Sequence, residues 1–143
     1  MRLLLDTNII SELRKRESPR ADPWFSRWAA GIATQDQYLS AVTVYEIATG
    51  VRRLERRDPR QGRILRSWFE EEVLPGFSWR IVPVDTEIAL EASHIAVEAQ
   101  LPLADALIAA TGLVSRMPVV TRNISHFGRV PHLSIINPWD PVF

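Results

Sequence analysis

The chain has 143 residues, of which 46% are hydrophobic, and its 17 basic and 17 acidic residues give a formal net charge of zero. This length predicts one domain, residues 1–143, with room for a substantial core. The net charge of zero gives no indication of a nucleic-acid-binding surface. The sequence contains no cysteine, which excludes disulfides and thiolate metal sites and fits a reducing cytoplasm. We expect a cytoplasmic protein without membrane association, because no apolar run approaches the roughly 18 residues of a membrane span and no signal-peptide pattern is present.

Short apolar runs and helix-capping residues divide the chain into alternating strands and helices. The predicted strands are residues 2–5, 38–42, 80–84, 118–121 and 133–136. The predicted helices are residues 9–14, 23–30 and 44–56, one that follows Asp58-Pro59 and ends at Pro75-Gly76, one from Asp85 to about residue 98, and residues 103–114. The Asp-Pro pairs predict helix starts because aspartate is a favoured N-cap and proline is tolerated in the first helical turn. The alternation predicts an α/β domain with a mainly parallel central sheet.

Three isolated acids interrupt apolar segments of the sequence. Asp6 follows the run Leu-Leu-Leu, Glu46 lies in the apolar segment 41–48, and Asp105 lies in the apolar segment 101–108. Acids are almost never buried without a partner, and open α/β sheets place their ligands beyond the carboxyl ends of the strands. We therefore expect the three acids, with Asn123 after the fourth predicted strand, to meet at one sheet edge around a shared cation.

The chemistry of these side chains predicts a hard divalent cation. Mg²⁺ prefers carboxylate and water ligands, whereas a zinc site is not expected without cysteine and with His94, His126 and His132 in unlike contexts. Carboxylate-bound Mg²⁺ or Mn²⁺ activates water and offsets charge on a phosphate oxygen, which is the chemistry of phosphodiester cleavage. Without metal the clustered carboxylates would repel, and at least one of them would bind a proton at a raised pKa.

Each candidate residue also has a structural interpretation that needs no cation. Asp6 would cap the helix that follows it, and Glu46 and Asp105 would be first-turn acids favoured by the helix dipole. Asn123 and Thr7 would be ordinary turn residues.

Seven arginines fall within fifteen positions and make up what we call the arginine hairpin, residues 52–66. They are Arg52, Arg53, Arg56, Arg57, Arg60, Arg63 and Arg66. Such a group predicts either a phosphate-binding surface or a solvated helical hairpin that meets a protein partner. The acids at residues 70–72, which follow directly, weaken the nucleic-acid interpretation.

Four ordered motifs resemble one known family. They are LLLDTNIISELR at residues 3–14, SAVTVYEI at 40–47, PLADALIAAT at 102–111 and VTRNISHF at 120–127, followed by the closing INPW at 136–139. This set is similar to the PIN-domain proteins, and most of all to the VapC toxins of bacterial toxin–antitoxin pairs in their FitB-like branch. The similarity covers essentially the whole chain, with the motifs in order and suitably separated.

The resemblance implies a three-layer α/β/α PIN fold and a Mg²⁺-dependent endoribonuclease that acts as a toxin on RNA. It also implies a homodimer, inhibition by a small DNA-binding antitoxin, and a larger toxin–antitoxin assembly. By motif position, Asp6, Glu46 and Asp105 carry over as metal-binding catalytic acids, with Asn123 as a fourth catalytic residue.

Two neutral residues mark where the fourth motif departs from the acidic pattern of the family. Asn123 stands where many relatives have aspartate, and His126 stands where others often have it. We expect a packing or turn role for His126, with contact to the scissile phosphate as the alternative. Thr7 and Thr121 are expected to orient the acids or a water molecule.

Two other functions stay open at the level of sequence. One is a catalytically weak PIN module that acts mainly as the antitoxin-binding partner in a DNA-bound repressor complex, which the neutral charge and Asn123 permit. The other is a haloacid-dehalogenase-like phosphatase, but that family needs a second aspartate two positions after Asp6, where this chain has Asn8. For the antitoxin, we expect the arginine hairpin, with Trp68 and Phe69, to help hold the bound segment.

Overall fold

The computed structural model describes residues 1–15 and 21–140, which contain five short strands and a set of helices on both sides of them. The strands are β1 (Leu3–Leu5), β2 (Gln37–Ser40), β3 (Ile81–Val82), β4 (Val119–Val120) and β5 (Ile135–Ile136). The helices are α1 (Thr7–Arg14), α2 (Pro23–Ala30), α3 (Ala41–Arg57), α4 (Pro59–Trp68), α5 (Leu74–Gly76), α6 (Thr86–Glu98), α7 (Leu103–Ser115) and α8 (Ile124–Phe127). A 3₁₀ turn (Thr34–Asp36) precedes β2, and a π turn (Phe69–Val73) joins α4 to α5.

The strands form one parallel sheet in the order β3-β2-β1-β4-β5, with β1 in the centre. Leu4 pairs with Tyr38 of β2 on one side and with Val119 of β4 on the other. Along the chain, β2 and β3 therefore add to one side of β1, and β4 and β5 then add to its other side. Ligands of open α/β sheets bind at such a switch point, beyond the carboxyl ends of the strands.

The three leucines of β1 divide between two cores, because successive side chains of a strand point to opposite faces of the sheet. Leu4 packs in a core formed largely by α6 and α7, which includes Ile108 of α7 and Phe127 of α8. Leu3 and Leu5 pack in a second core that includes Ile9 and residues from α2, α3 and the π turn. Helices thus cover both faces of a fully parallel sheet, which confirms the predicted α/β/α architecture.

The aspartate caps form as predicted. Asp22 accepts backbone hydrogen bonds from residues 24 and 25 at 2.9 and 3.0 Å, Asp58 from residue 61 at 3.2 Å, and Asp85 from residue 88 at 2.9 Å. The predicted starts of α2, α4 and α6 are therefore confirmed. The hairpin of α3 and α4 is unusually close, because a Cβ at Gly62 would lie 2.5 Å from the Cα of Glu55.

Several predicted boundaries are wrong, and the most important one moves Glu46. The second strand ends at Ser40, whose Oγ accepts from the backbone N–H of Val42 at 3.0 Å and starts α3 earlier than predicted. Glu46 therefore lies in the second turn of α3 and not in the first. In the same way α1 begins at Thr7, directly after its cap Asp6. The helix α8 was not predicted.

The helix that follows Asp58-Pro59 does end at Gly76, as predicted, but it passes through the π turn on the way. No helix within the described ranges is long and apolar enough to cross a membrane.

Candidate active site

Asp6 lies at the carboxyl end of the central strand and is almost completely buried, with 6% of its surface exposed. Its Oδ1 accepts a 2.7 Å hydrogen bond from the backbone N–H of Thr7, and its Oδ2 accepts one of 2.7 Å from Thr121 Oγ1 and one of 3.2 Å from Asn8 Nδ2. Asp6 is therefore the N-cap of α1, as its structural interpretation predicted. The Thr121 contact also ties it to the end of β4.

Burial raises the pKa of Asp6 above its ordinary value of 3.8, because a buried carboxylate loses its hydration. The hydrogen bonds from Thr121 and Thr7 lower this pKa, whereas the negative charges of Asp105 and Glu46 raise it further. The three acids are thus close enough to repel one another, as the sequence predicted.

Glu46 is half-buried on α3 and faces the first turn of α1. Thr7 Oγ1 donates to its Oε1 at 2.7 Å and also lies 3.2 Å from Thr43 Oγ1. The hydroxyl of Thr7 therefore fixes the orientation of Glu46, while the backbone N–H of the same residue binds Asp6. The expectation that Thr7 and Thr121 orient the acids is confirmed by these contacts.

Asp105 lies in the first turn of α7, where its Oδ2 is 2.5 Å from Nδ1 of His126. Asn123 Nδ2 lies 2.9 Å from the same ring nitrogen, and Ser125 Oγ donates to Asn123 Oδ1 at 3.1 Å. The predicted packing or turn role for His126 did not include this contact with Asp105. Its ring contacts a candidate metal-binding acid because α8, which the sequence did not predict, carries the ring to the start of α7.

The structure brings all four candidate residues to the same edge of the sheet and joins three of them through hydrogen bonds. The backbone N–H of Asn123 donates to Thr121 Oγ1 at 2.9 Å, which in turn donates to Asp6. The Asn123 side chain continues through His126 to Asp105. Glu46 joins the same site through Thr7.

The donor set has the chemistry that a hard divalent cation prefers, namely three carboxylates and an amide oxygen on four different chain segments. The mutual repulsion that contributes to the raised pKa of Asp6 is the electrostatic condition that a bound cation relieves. Within residues 1–15 and 21–140, however, no group of three or more histidine, aspartate or glutamate side chains is arranged so that it could hold a metal ion. Metal binding by Asp6, Glu46 and Asp105 stays a prediction.

Thr43 and the ring of His126 are the site residues whose contacts sequence reasoning missed. Thr43 is fully buried and lies one helical turn before Glu46 on α3. Residues three positions apart lie on the same face of a helix, so the spacing of Thr43 and Glu46 could have predicted that both face inward. No comparable signal exists for His126, because its contact depends on where α7 and α8 pack.

The arginine hairpin lies on α3 and α4, and its arginines are exposed except for Arg66. Arg66 binds Glu55 through two contacts of 2.6 Å and Glu70 through one of 2.8 Å. The hydrogen bond from Arg66 lowers the pKa of Glu55. Phe69 is buried in the core, which leaves little of its surface for a partner, whereas Trp68 is half-buried with the guanidinium of Arg14 5.5 Å from its ring centroid.

Comparison with known proteins agrees with this architecture. The sequence pattern of the PIN domain matches residues 3–133. The chain is 35% identical over 144 residues to the VapC ribonuclease Y4jK of Sinorhizobium fredii, covering 97% of this chain and 99% of the relative. It is 34% identical over 143 residues to the toxin FitB of Neisseria gonorrhoeae, covering 96% of this chain and 98% of the relative.

Solved structures give the same result. A structure of FitAB bound to an IR36 DNA fragment superposes with a TM-score of 0.84 at 33% identity, covering 96% of each chain. The structure of FitAcB from Neisseria gonorrhoeae superposes with a TM-score of 0.83 at 32% identity, covering 96% of this chain and 98% of that one. With a matching family pattern, relatives over its full length and the same fold, the chain belongs to the PIN-domain family, in the branch of the VapC and FitB toxins.

Proposed function

We propose that this chain is a metal-dependent endoribonuclease, the toxin of a type II toxin–antitoxin pair, formed by residues 1–143 as a single PIN domain acting in the cytoplasm. The observation that carries this proposal is the buried Asp6, whose pKa is raised by burial and by the nearby charges of Asp105 and Glu46. A site that gathers repelling carboxylates at a sheet switch point is built for a positively charged ligand. The ribonuclease and toxin names of its relatives point in the same direction.

In this proposal Asp6, Glu46 and Asp105 would hold Mg²⁺ or Mn²⁺, and the neutral Asn123 lies beside them without adding a negative charge. The bound ion supplies positive charge that activates water and offsets the charge that builds on the phosphate oxygens of RNA. Thr7 holds Glu46, and Thr121 holds Asp6, so that two of the acids keep fixed directions. Because these hydrogen bonds already hold the acids in place, the acids need not reorient as the reaction proceeds.

Arg122 is the exposed residue between Thr121 and Asn123, and it offers positive charge to RNA phosphates next to the acids. Its guanidinium carbon lies 4.9 Å from the ring centroid of Trp139, which packs in turn on Phe25 at a centroid distance of 4.9 Å. This stacking holds the arginine near the site without neutralising it.

The test is RNA cleavage by the purified protein, with total RNA as a mixture of structured substrates. We expect cleavage with Mg²⁺, loss of cleavage with EDTA, and recovery when Mg²⁺ is restored. Asp6→Asn keeps the fold and should lose cleavage by at least about a hundredfold. The matched control His132→Asn changes an exposed histidine in the loop before β5, away from the acids, and should cleave like the wild type. Undiminished cleavage by folded Asp6→Asn would overturn the proposed site.

The second candidate function is a PIN module that works mainly by binding an antitoxin in a DNA-bound repressor complex. Its support is the neutral Asn123 in the fourth motif and the DNA-bound FitAB complex among the structural neighbours. Under this alternative the purified protein binds its antitoxin but leaves RNA intact at every Mg²⁺ concentration. The cleavage experiment therefore separates the two functions.

We further propose that the chain forms a homodimer and binds a small DNA-binding antitoxin in a larger assembly. Two large apolar side chains on α6 support self-association, since Leu90 and Val97 are 67% and 74% exposed and lie two turns apart on one face. The double substitution Leu90→Asp and Val97→Asp should shift the protein to a monomer in analytical ultracentrifugation. An unchanged dimer would place the interface elsewhere.

A further inference from the structure

The short helix α8 is anchored so that its histidine has little freedom. Phe127 is completely buried in the core beside α7, and a Cβ at Gly128 would lie 2.7 Å from the backbone oxygen of Ile124. Because the residues on its C-terminal side are fixed in this way, the ring of His126 is held against the first turn of α7.

The contact between His126 and Asp105 is a short hydrogen bond from a ring nitrogen to a carboxylate oxygen. Nδ1 lies 2.5 Å from Oδ2, and an ionised carboxylate can only accept, so the ring nitrogen carries the hydrogen. A half-turn of the Asn123 amide then presents its oxygen to the ring and its nitrogen to Ser125 Oγ. In that arrangement the amide nitrogen donates to Ser125 Oγ, and the amide oxygen shares, as a weaker second acceptor, the one Nδ1 hydrogen that is donated to Asp105.

The other carboxylate oxygen of Asp105 stays available. Among the described residues, no hydrogen bond to Asp105 Oδ1 accompanies the one from His126 to Oδ2. A carboxylate with one oxygen bound by a fixed donor presents the other in a set direction. Hydrogen bonds of this kind orient metal-ligating carboxylates in protein metal sites.

We propose that His126 is a positioning residue that holds Asp105, through Nδ1 and Oδ2, in the direction in which its free oxygen binds the divalent cation. This inference rests on the proposed metal-dependent function and deepens it. The fourth motif then acts on two acids at once, since Thr121 fixes Asp6 while His126 fixes Asp105. It does so with neutral hydrogen-bonding groups in place of a fourth carboxylate.

Metal affinity without RNA tests the inference independently of cleavage. Mn²⁺ and Mg²⁺ are titrated calorimetrically into the wild type and into His126→Leu, His126→Asn and His126→Gln. The amide nitrogen of asparagine lies where Nδ1 of the histidine lies, whereas the amide nitrogen of glutamine lies near the position of Nε2. Both substitutions are polar, but only asparagine can restore the hydrogen bond to Asp105. His132→Asn is the matched control for loss of an exposed histidine.

We expect His126→Leu and His126→Gln to bind the ion about 10- to 100-fold more weakly, and His126→Asn to stay within about threefold of the wild type. If His126→Leu does not fold, the comparison of asparagine with glutamine decides. Equal affinity of these two variants overturns the inference, as does tighter binding by His126→Leu, which would mean that the histidine competes with the ion for Asp105. A wild type that binds neither ion overturns both the inference and the metal-dependent function, whereas normal binding by every variant overturns the inference alone.

Discussion

Thr7 Oγ1 donates a 2.7 Å hydrogen bond to Glu46 Oε1 and so joins the first turn of α1 to the second turn of α3. The backbone N–H of the same threonine binds Asp6 at 2.7 Å. One residue therefore sets the positions of two acids, one through its main chain and one through its side chain.

This relationship predicts the effect of Thr7→Val, which keeps the shape of the side chain and the N–H but removes the hydroxyl. Glu46 then loses its fixed donor, and Mg²⁺-dependent RNA cleavage should fall about tenfold or more, because removal of such orienting contacts weakens metal sites to that degree. Ser11→Ala removes another hydroxyl from α1, one that donates to the backbone oxygen of Thr7 at 3.4 Å and to none of the acids among the described residues, and is the matched control. Equal activity of the two variants would show that the hydroxyl does not matter.

The sequence predicted the helix starts because an aspartate cap is a local interaction. Asp22, Asp58 and Asp85 each bond a backbone N–H two or three residues away, so the signal and the structure lie in the same short segment. The end of β2 was missed because Val42 and Thr43 are β-branched and favour a strand, whereas the cap at Ser40 had already begun α3.

The positions of the acids at one sheet edge could also be predicted, since parallel strands end at the same edge. The contact between His126 and Asp105 could not, because it joins residues 21 positions apart through a four-residue helix. A helix that short has no hydrophobic periodicity to detect. The order of the strands likewise depends on packing between distant segments.

A second prediction concerns the pH dependence of stability at Asp6. Its pKa in the folded protein is raised above 3.8, so between 3.8 and that raised value the folded state binds more protons than the unfolded chain. The free energy of unfolding therefore falls as pH rises through this window. Asp6→Asn cannot ionise and should therefore be more stable than the wild type at pH 7 in EDTA.

Chemical denaturation at several pH values measures this effect. The advantage of Asp6→Asn should fade as pH drops below the ordinary value, and Mg²⁺ should stabilise the wild type but not the variant. Glu87→Gln removes an exposed acid from α6 and serves as the control. A variant less stable than the wild type at pH 7 would show that the hydrogen bonds to the carboxylate outweigh its burial.

A third prediction concerns the number of metal ions. Asn123 carries no charge, so the site has three negatively charged carboxylates. The two positive charges of one Mg²⁺ nearly balance them, and a second ion should bind only when RNA phosphates add negative charge. Calorimetry without RNA should find one binding site, and Asn123→Asp should tighten it about tenfold because affinity follows ligand charge. Ser134→Asp adds the same charge at the opposite edge of the sheet and should change little. Two tight sites in the RNA-free protein would refute this charge balance.

A fourth prediction concerns the arginine hairpin as the binding surface for the antitoxin. Arg53 and Arg57 are exposed on α3, whereas Arg66 is already bound by Glu55 and Glu70. The double substitution Arg53→Glu and Arg57→Glu should weaken binding of the proposed small DNA-binding antitoxin by about tenfold or more, through lost charge complementarity. Surface plasmon resonance gives the affinity, and Arg116→Glu, at the far end of α7, is the control. Unchanged affinity would move the antitoxin to another surface.

In the proposed function, the three acids would hold an ion that activates water for attack on the RNA phosphate. Cleavage in H₂¹⁸O followed by mass spectrometry of the product ends tests this claim most directly. We predict one ¹⁸O atom in the terminal phosphate of the product, no 2′,3′-cyclic phosphate, and no product with EDTA or with Asp6→Asn. A 2′,3′-cyclic phosphate end without ¹⁸O, formed equally well in EDTA, would mean that the ribose hydroxyl is the nucleophile and would contradict the metal-dependent mechanism.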